Sequence, residues 1–201
     1  MKQHRRTVVA ALAGLPFLGG PALAQTAATR VKIETSHGVI TLELYGDKAP
    51  ITVANFLRYV DEKRFDGAEF YRTVRPPAMP QVGLLQGGCH GDPARLLPPI
   101  AHESTDTTGL RHKLGTLSMP RRELGTASGE FFICLEDSPW YDVNPLKPGD
   151  NFGYAAFGAV VEGLDVVRAI HALPTSPTEG AAYGMAGQIL DPTVKFTARR
   201  A

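Results

Sequence analysis

The chain has 201 residues, 43% hydrophobic and 20% charged, with 21 glycines, 16 prolines and two cysteines. These fractions exclude a disordered chain, a collagen-like repeat and a disulfide-dense miniprotein, and the length suits one domain that folds without staples. The formal charge is +1, but without Lys2, Arg5 and Arg6 the remainder holds 18 basic and 20 acidic residues, a net −2 that argues against nucleic acid or an anionic membrane as the main partner.

Residues 1–24 read as a secretory signal. Lys2 to Arg6 is basic, Thr7 to Gly19 is apolar, and Ala22-Leu23-Ala24 sets small residues ahead of Gln25. The apolar run is shorter than the roughly 20 residues of a membrane span, and Gly14, Pro16 and Gly19 interrupt it. Cleavage is expected after Ala24, leaving residues 25–201 as one soluble domain, periplasmic or secreted, with no membrane contact. The Arg5-Arg6 pair also admits a twin-arginine route.

Alternation then predicts a hairpin. Val31, Ile33 and Thr35 alternate with Lys32 and Glu34, Ile40, Leu42 and Leu44 with Thr41 and Glu43, and Ser36-His37-Gly38 turns between them. Pro50 suits a first helical turn, and Val53, Phe56, Leu57 and Val60 recur at helical spacing. A strand is predicted over Glu69 to Val74, and Arg75 to Val82, with three prolines, must be irregular. Short strands are predicted over Gly83 to Gln86, Gly115 to Met119, Glu130 to Leu135 and Tyr154 to Val161. Val166, Ala169, Ile170 and Leu173 mark a second amphipathic helix, and a last strand falls around Ile189 to Ala198. Many short strands, two helices and Gly/Pro-rich connectors indicate an antiparallel barrel or sandwich with helices over its ends.

Common catalytic patterns are missing or incomplete. Gly125-Thr126-Ala127-Ser128-Gly129 does not match the Gly-x-Ser-x-Gly elbow, and Gly83 to Gly88 lacks the Lys-Ser/Thr ending of a phosphate loop. No His-x-x-x-His or Cys-x-x-Cys occurs, and Cys89-His90 with His102 is a poor metal set. Cys134 reads as part of a buried strand and Cys89 as part of a loop. Two unpaired thiols are the simpler reading, although an oxidising compartment would permit their pairing.

Phe70-Tyr71-Arg72, Gln86-Gly87-Gly88, Leu117-Ser118-Met119 and Phe131-Phe132-Ile133, in this order, resemble the markers of the cyclophilins, which are peptidyl-prolyl cis–trans isomerases. The family forms of these motifs include Phe-His-Arg, Gln-Gly-Gly and Ser-Gln-Phe-Phe-Ile. The resemblance covers most of residues 30–198, including the opening hairpin, the segment from Ala49 to Phe56, and Phe157-Gly158. It implies a mainly β fold: an eight-stranded antiparallel barrel capped by two α-helices, with a peptide groove on its outer surface. It also implies roles, position by position. Arg72 matches the catalytic arginine, Gln86 the glutamine that holds the substrate backbone, Phe132 the floor of the proline pocket and Leu84 an apolar wall. Trp140 and Tyr141 match further groove walls, Pro120 and Arg121 fall where backbone grips the peptide, and Tyr154 takes the place of a groove histidine. Glu130 stands where a glutamine contacts the groove. No metal and no cofactor is implied. The implied partners are proline-containing peptides and unfolded exported proteins, with cyclosporin as a ligand, and the chain is expected as a monomer.

These residue types suit the chemistry. Rotation about an X–Pro bond faces a barrier of roughly 18–20 kcal/mol because the amide is conjugated. A guanidinium aimed at the twisting bond stabilises it, an apolar pocket holds the ring and excludes water, and amide contacts fix the flanking residues.

Four departures stand out. Gln86 follows Arg72 by fourteen residues where the family has eight, the excess lying around Pro76-Pro77-Ala78-Met79-Pro80. Gly83 replaces an aromatic wall, for which Met79 or an inserted proline could substitute. The Glu130 carboxylate is expected near Arg72, where pairing would damp the catalytic field. The loop from Asp142 to Asn151 is longer than usual. They keep open an alternative: a catalytically weak peptide-binding or chaperone module of the same fold.

Overall fold

A computed structural model describes residues 29–89, 92–146 and 149–201; the signal-like segment and His90 lie outside them. The strands are β1 (Thr29–Thr35), β2 (Gly38–Leu44), β3 (Ala68–Val74), β4 (Leu84–Gly88), β5 (Thr116–Met119), β6 (Glu130–Cys134), β7 (Ala155–Glu162), β8 (Thr175–Ser176) and β9 (Ile189–Arg200). The helices are α1 (Pro50–Asp61), α2 (Thr105–Thr108) and α3 (Leu164–His171). Pairing runs β1-β2-β7-β5-β6-β4-β3-β9, and β1 pairs again with β9, so eight antiparallel strands close a barrel. The two-residue β8 is an appendage on β9. Closure removes the exposed edges that an open sheet would present.

The mainly β barrel and the helices α1 and α3 agree with the sequence patterns. The one-turn α2 does not appear in them, because four residues are too few to show a period. It is set instead by local chemistry: the Ser104 hydroxyl accepts from the Thr107 amide, and Gly109 ends the turn in the left-handed region.

Inward-facing residues of the alternating strands fill the barrel. Val31, Ile33, Ile40, Leu42, Phe70, Leu85, Leu117, Phe131, Ile133, Phe157 and Phe196 are all buried. Phe56 and Tyr59 of α1 join this core. The Phe56 ring meets Phe131 edge-on at 5.4 Å, and Tyr59 stacks on Phe65 at 5.1 Å.

Two long-range contacts seat the helices. Ala49 precedes α1 without a capping side chain, and Glu103 caps the helix from outside it. The buried Glu103 carboxylate accepts from the amides of Ile51 at 3.1 Å and Thr52 at 2.7 Å, and from the Thr52 hydroxyl at 2.7 Å. An anion suits the positive end of a helix. At the other helix, Arg75 donates to the carbonyls of His171 and Leu173 and neutralises the end of α3. Cys89 and Cys134 are free, buried thiols, and burial pushes them up to about 11 and about 12.

Replacing Glu103 by alanine should strand the first-turn donors of α1. A loss of about 2–3 kcal/mol is expected, read as a lower urea midpoint at unchanged slope. An unmoved midpoint would show that α1 does not depend on this cap.

Candidate active site

Arg72 faces the outer surface because β3 contains one extra residue. Phe70 pairs with Gly87 and Arg72 with Gln86, so Tyr71 is a bulge against β4; the register against β9 also breaks here, from Phe70 opposite Val194 to Arg72 opposite Ile189. In a regular strand, Phe70 and Arg72 would share a face. The bulge separates them: Phe70 is fully buried in the barrel while Arg72 lies half-buried on the outside. From Arg72, a single row of neighbours crosses the sheet through Gln86 of β4, Phe132 of β6 and Ser118 of β5. Cross-strand neighbours project to one face, so the row brings the guanidinium, the amide and the aromatic ring together.

The Arg72 guanidinium is held on both sides. Its Nη1 donates to Gln86 Oε1 at 3.0 Å, while Nε and Nη2 donate to Gln188 Oε1 at 2.9 and 2.7 Å. Gln188 escaped the sequence reading. It immediately precedes β9, where no periodicity extends, and it is fixed by its carbonyl accepting from the Thr73 amide at 2.8 Å. Gln86 Nε2 donates onward to the Tyr71 phenol at 2.5 Å. Burial above all, and then the nearby Glu130 carboxylate, hold the Tyr71 proton more tightly than usual. The Glu130 carboxylate oxygens are shielded from solvent. The sequence reading expects the carboxylate near Arg72 and within reach of pairing; the guanidinium's hydrogen bonds go to Gln86 and Gln188.

Beside the arginine lies an apolar cluster of Leu84, Phe132 and Cys134, with Val74, Tyr141 and Tyr154 packed on it. The rings of Phe132, Tyr141 and Tyr154 meet pairwise edge-on at 5.5 Å. Met79 is 48% exposed and does not stand in for the missing aromatic wall. Its loop folds as successive turns, Pro76 to Met79 and Met79 to Val82, and returns at Gly83 with φ +109°. A Cβ at Gly83 would lie 2.0 Å from the Val74 carbonyl oxygen, so this return excludes any aromatic there.

His112 backs the cluster. Its ring stacks on Phe132 at 6.1 Å, its Nδ1 bonds Asp142 at 2.6 Å and its Nε2 bonds the Ser118 hydroxyl at 2.8 Å. Burial pushes the imidazole below its usual range, so the neutral ring donates to Asp142 and accepts from Ser118. The trio has the connectivity of a hydrolase triad, but Ser118 is fully buried, and the arrangement supports Phe132 from behind.

A second cleft of about 220 Å³ is lined by Arg121, Arg122, Trp140, Asp150, Asn151 and Tyr154 among others. Arg121 leaves the end of β5 beside the half-buried Pro120 and forks onto Asp150, holding that carboxyl down at about 2. The same guanidinium lies over the Tyr154 ring at 5.6 Å, so Tyr154 borders both the cleft and the apolar cluster. Trp140, 51% exposed, lines the cleft.

Residues 30–186 match the family described as cyclophilin type peptidyl-prolyl cis-trans isomerase/CLD. The chain is 37% identical over 158 residues to peptidyl-prolyl cis-trans isomerase A of Dickeya dadantii, covering 77% of each. It is 34% identical over 192 residues to a peptidyl-prolyl cis-trans isomerase of Acinetobacter baylyi, covering 95% of this chain and 93% of that one. A crystal structure of a cyclophilin type peptidyl-prolyl cis-trans isomerase from Cryptosporidium parvum, determined in the presence of the dipeptide Ala-Pro, superposes with a TM-score of 0.65 at 18% identity, over 86% of this chain and 98% of that one; at that identity the likeness concerns the fold.

The half-exposed Trp140, the only tryptophan in the chain, offers a direct readout. A proline-containing peptide bound across the cleft and the apolar cluster should shift its emission. Peptide that is turned over normally at saturation while the spectrum stays fixed would remove Trp140 from the groove.

Proposed function

The chain belongs to the cyclophilin-type peptidyl-prolyl cis-trans isomerases, and from that footing we propose that it accelerates X–Pro rotation in exported polypeptides, with Arg72 as the catalytic group. The observation that supports this role is the clamped guanidinium beside an apolar cluster, both set by one row of the barrel.

The proline ring of the substrate packs on Phe132, between Leu84, Tyr141 and Tyr154. Burying the ring excludes water and strengthens every polar contact at the bond. Twisting the amide breaks its conjugation and leaves the proline nitrogen pyramidal and basic. The Arg72 guanidinium, charged across the physiological range as arginines are, stabilises that state more than either planar isomer. No bond is made or broken, so no nucleophile is required. Gln86 holds the substrate backbone, and Pro120, Arg121 and Trp140 contact the flanking residues.

Residues 1–24 act as the signal, cleaved after Ala24, and the monomeric mature protein works on unfolded chains in the periplasm or outside the cell. The composition of the segment supports this, and mass measurement of the exported protein tests it: a first residue other than Gln25 would move the cleavage site, and retention in the cytoplasm would overturn the location. Cyclosporin, as a ligand of the same groove, should compete with peptide.

A protease-free isomerisation assay of Arg72→Ala tests the chemistry. A fall in kcat/KM of at least about tenfold with an unchanged fold is expected, equivalent to about 1.4 kcal/mol of lost transition-state stabilisation. A folded variant with wild-type activity would leave the alternative, a peptide-binding module of the same fold.

A further inference from the structure

We propose that Gln188 is a positioning residue for the isomerase: its neutral carbonyl oxygen occupies one edge of the Arg72 guanidinium, fixes the plane of that group, and leaves its charge and its outer donors to the substrate. The proposal rests on the assignment of Arg72 above and adds to it a residue 116 positions away in sequence.

A guanidinium carries five N–H groups in one plane and accepts nothing, so the atom that Gln188 turns to it must be the amide oxygen. That oxygen takes two of the five donors, from Nε at 2.9 Å and from Nη2 at 2.7 Å, and so sits in a fork. Gln86 Oε1 takes a third, from Nη1 at 3.0 Å. This leaves one donor on each terminal nitrogen for the twisting bond. Gln86 alone would let the plane swing about a single hydrogen bond; the forked contact on a different edge removes that freedom before substrate arrives. The neutrality of the acceptor matters as much as its place. A carboxylate would fill the same fork, but it would form a close ion pair and weaken the field at the proline nitrogen.

The backbone delivers this residue to the site. An unbroken antiparallel ladder running on from Phe70 opposite Val194 would set Pro192 opposite Arg72; Ile189 stands there instead, three residues further along, and Gln188 comes to lie beside Thr73. The Gln188 carbonyl accepts from the Thr73 amide at 2.8 Å, and its own amide donates to the Met185 carbonyl at 3.0 Å. The short β8 holds the same segment from its other side. Thr175 pairs with Leu190 and Ser176 with Ile189, and the Ser176 carbonyl accepts from the Gly187 amide at 3.1 Å. This strand takes no part in closing the barrel, and the backbone it fixes is the one that carries Gln188.

The test measures kcat and KM of the purified protein for wild type, Gln188→Met, Gln188→Glu, Arg72→Ala and the double variant Arg72→Ala/Gln188→Met. The Arg72 Nε–H resonance, assigned by its loss in Arg72→Ala, is followed in nitrogen-15-labelled protein. Methionine keeps the length of the side chain but offers the fork only a thioether. It should lower kcat about threefold to tenfold, leave KM within about twofold, and shift the Nε–H resonance. Glutamate keeps the acceptor and adds a charge, so kcat should fall at least as far. In the Arg72→Ala background, Gln188→Met should cost nothing further. Wild-type kcat in Gln188→Met or in Gln188→Glu, an unmoved Nε–H resonance in Gln188→Met, or multiplied losses in the double variant would each overturn the proposal. If Gln188→Met does not fold, Gln188→Glu, which retains the fork, decides alone by its kcat. Arg72→Ala keeps the two readings apart: wild-type activity there removes the catalytic assignment, whereas a tenfold loss there beside wild-type kcat in Gln188→Met removes the role of Gln188 only.

Discussion

A single extra residue in β3 determines which face of the barrel carries the chemistry. Phe70 must enter the core, where it packs against Phe131 and Phe196, and two-residue periodicity would draw Arg72 in after it. A buried guanidinium without a charged partner is too costly for any core. The bulge at Tyr71 resolves the conflict by adding a half-period to the strand. Everything on the outer row follows from that phase: Gln86 opposite the arginine, Phe132 opposite Gln86, and Ser118 opposite Phe132. The two glycines after Gln86 serve the same geometry. A Cβ at Gly87 would come within 2.7 Å of the Phe70 ring, so the Gln-Gly-Gly run keeps β4 close against the bulged strand.

The row combines two materials with different tolerances. Its apolar part is packed ring against ring, with His112 and Asp142 fixing it from behind. Its polar part is a set of hydrogen bonds around one cation, and those bonds compete with its field. Neutral acceptors at Gln86 and Gln188 orient the guanidinium without cancelling its charge, as a directly paired carboxylate would. The acids near the groove are placed accordingly: Asp142 is occupied by His112 and Asp150 by Arg121.

Local patterns in the chain carried the scaffold. Alternation marked the hairpin of β1 and β2, and apolar spacing marked α1 and α3, because each buries one face and must repeat with its own period. The roles of Arg72, Phe132 and Leu84 came from resemblance, since a lone arginine in a strand pattern reads as a surface residue. What stayed hidden was set by contacts distant in sequence. Gln188 meets Arg72 from 116 residues away, and Glu103 caps α1 from 51 and 52 residues away. The bulge was hidden too, because one added residue leaves no mark in composition. Gly83 looked like a lost pocket wall, and only the return of the Pro76 to Val82 turns shows why nothing larger fits.

The closure of the barrel also bears on how the protein comes to be folded. β1 pairs with β9, Val31 against Arg200 and Thr35 against Phe196, so its first strand waits for its last. Contacts of such sequence separation close late and slow folding, because the chain must be ordered before they can form. Until β9 arrives, Phe65, Phe70 and Phe131 lack the Phe196 ring that covers them, and Arg72 lacks both its β9 neighbour Ile189 and the clamp of Gln188. Before that closure the chain leaves aromatic rings uncovered, which makes it the kind of unfolded polypeptide that a folding helper would receive.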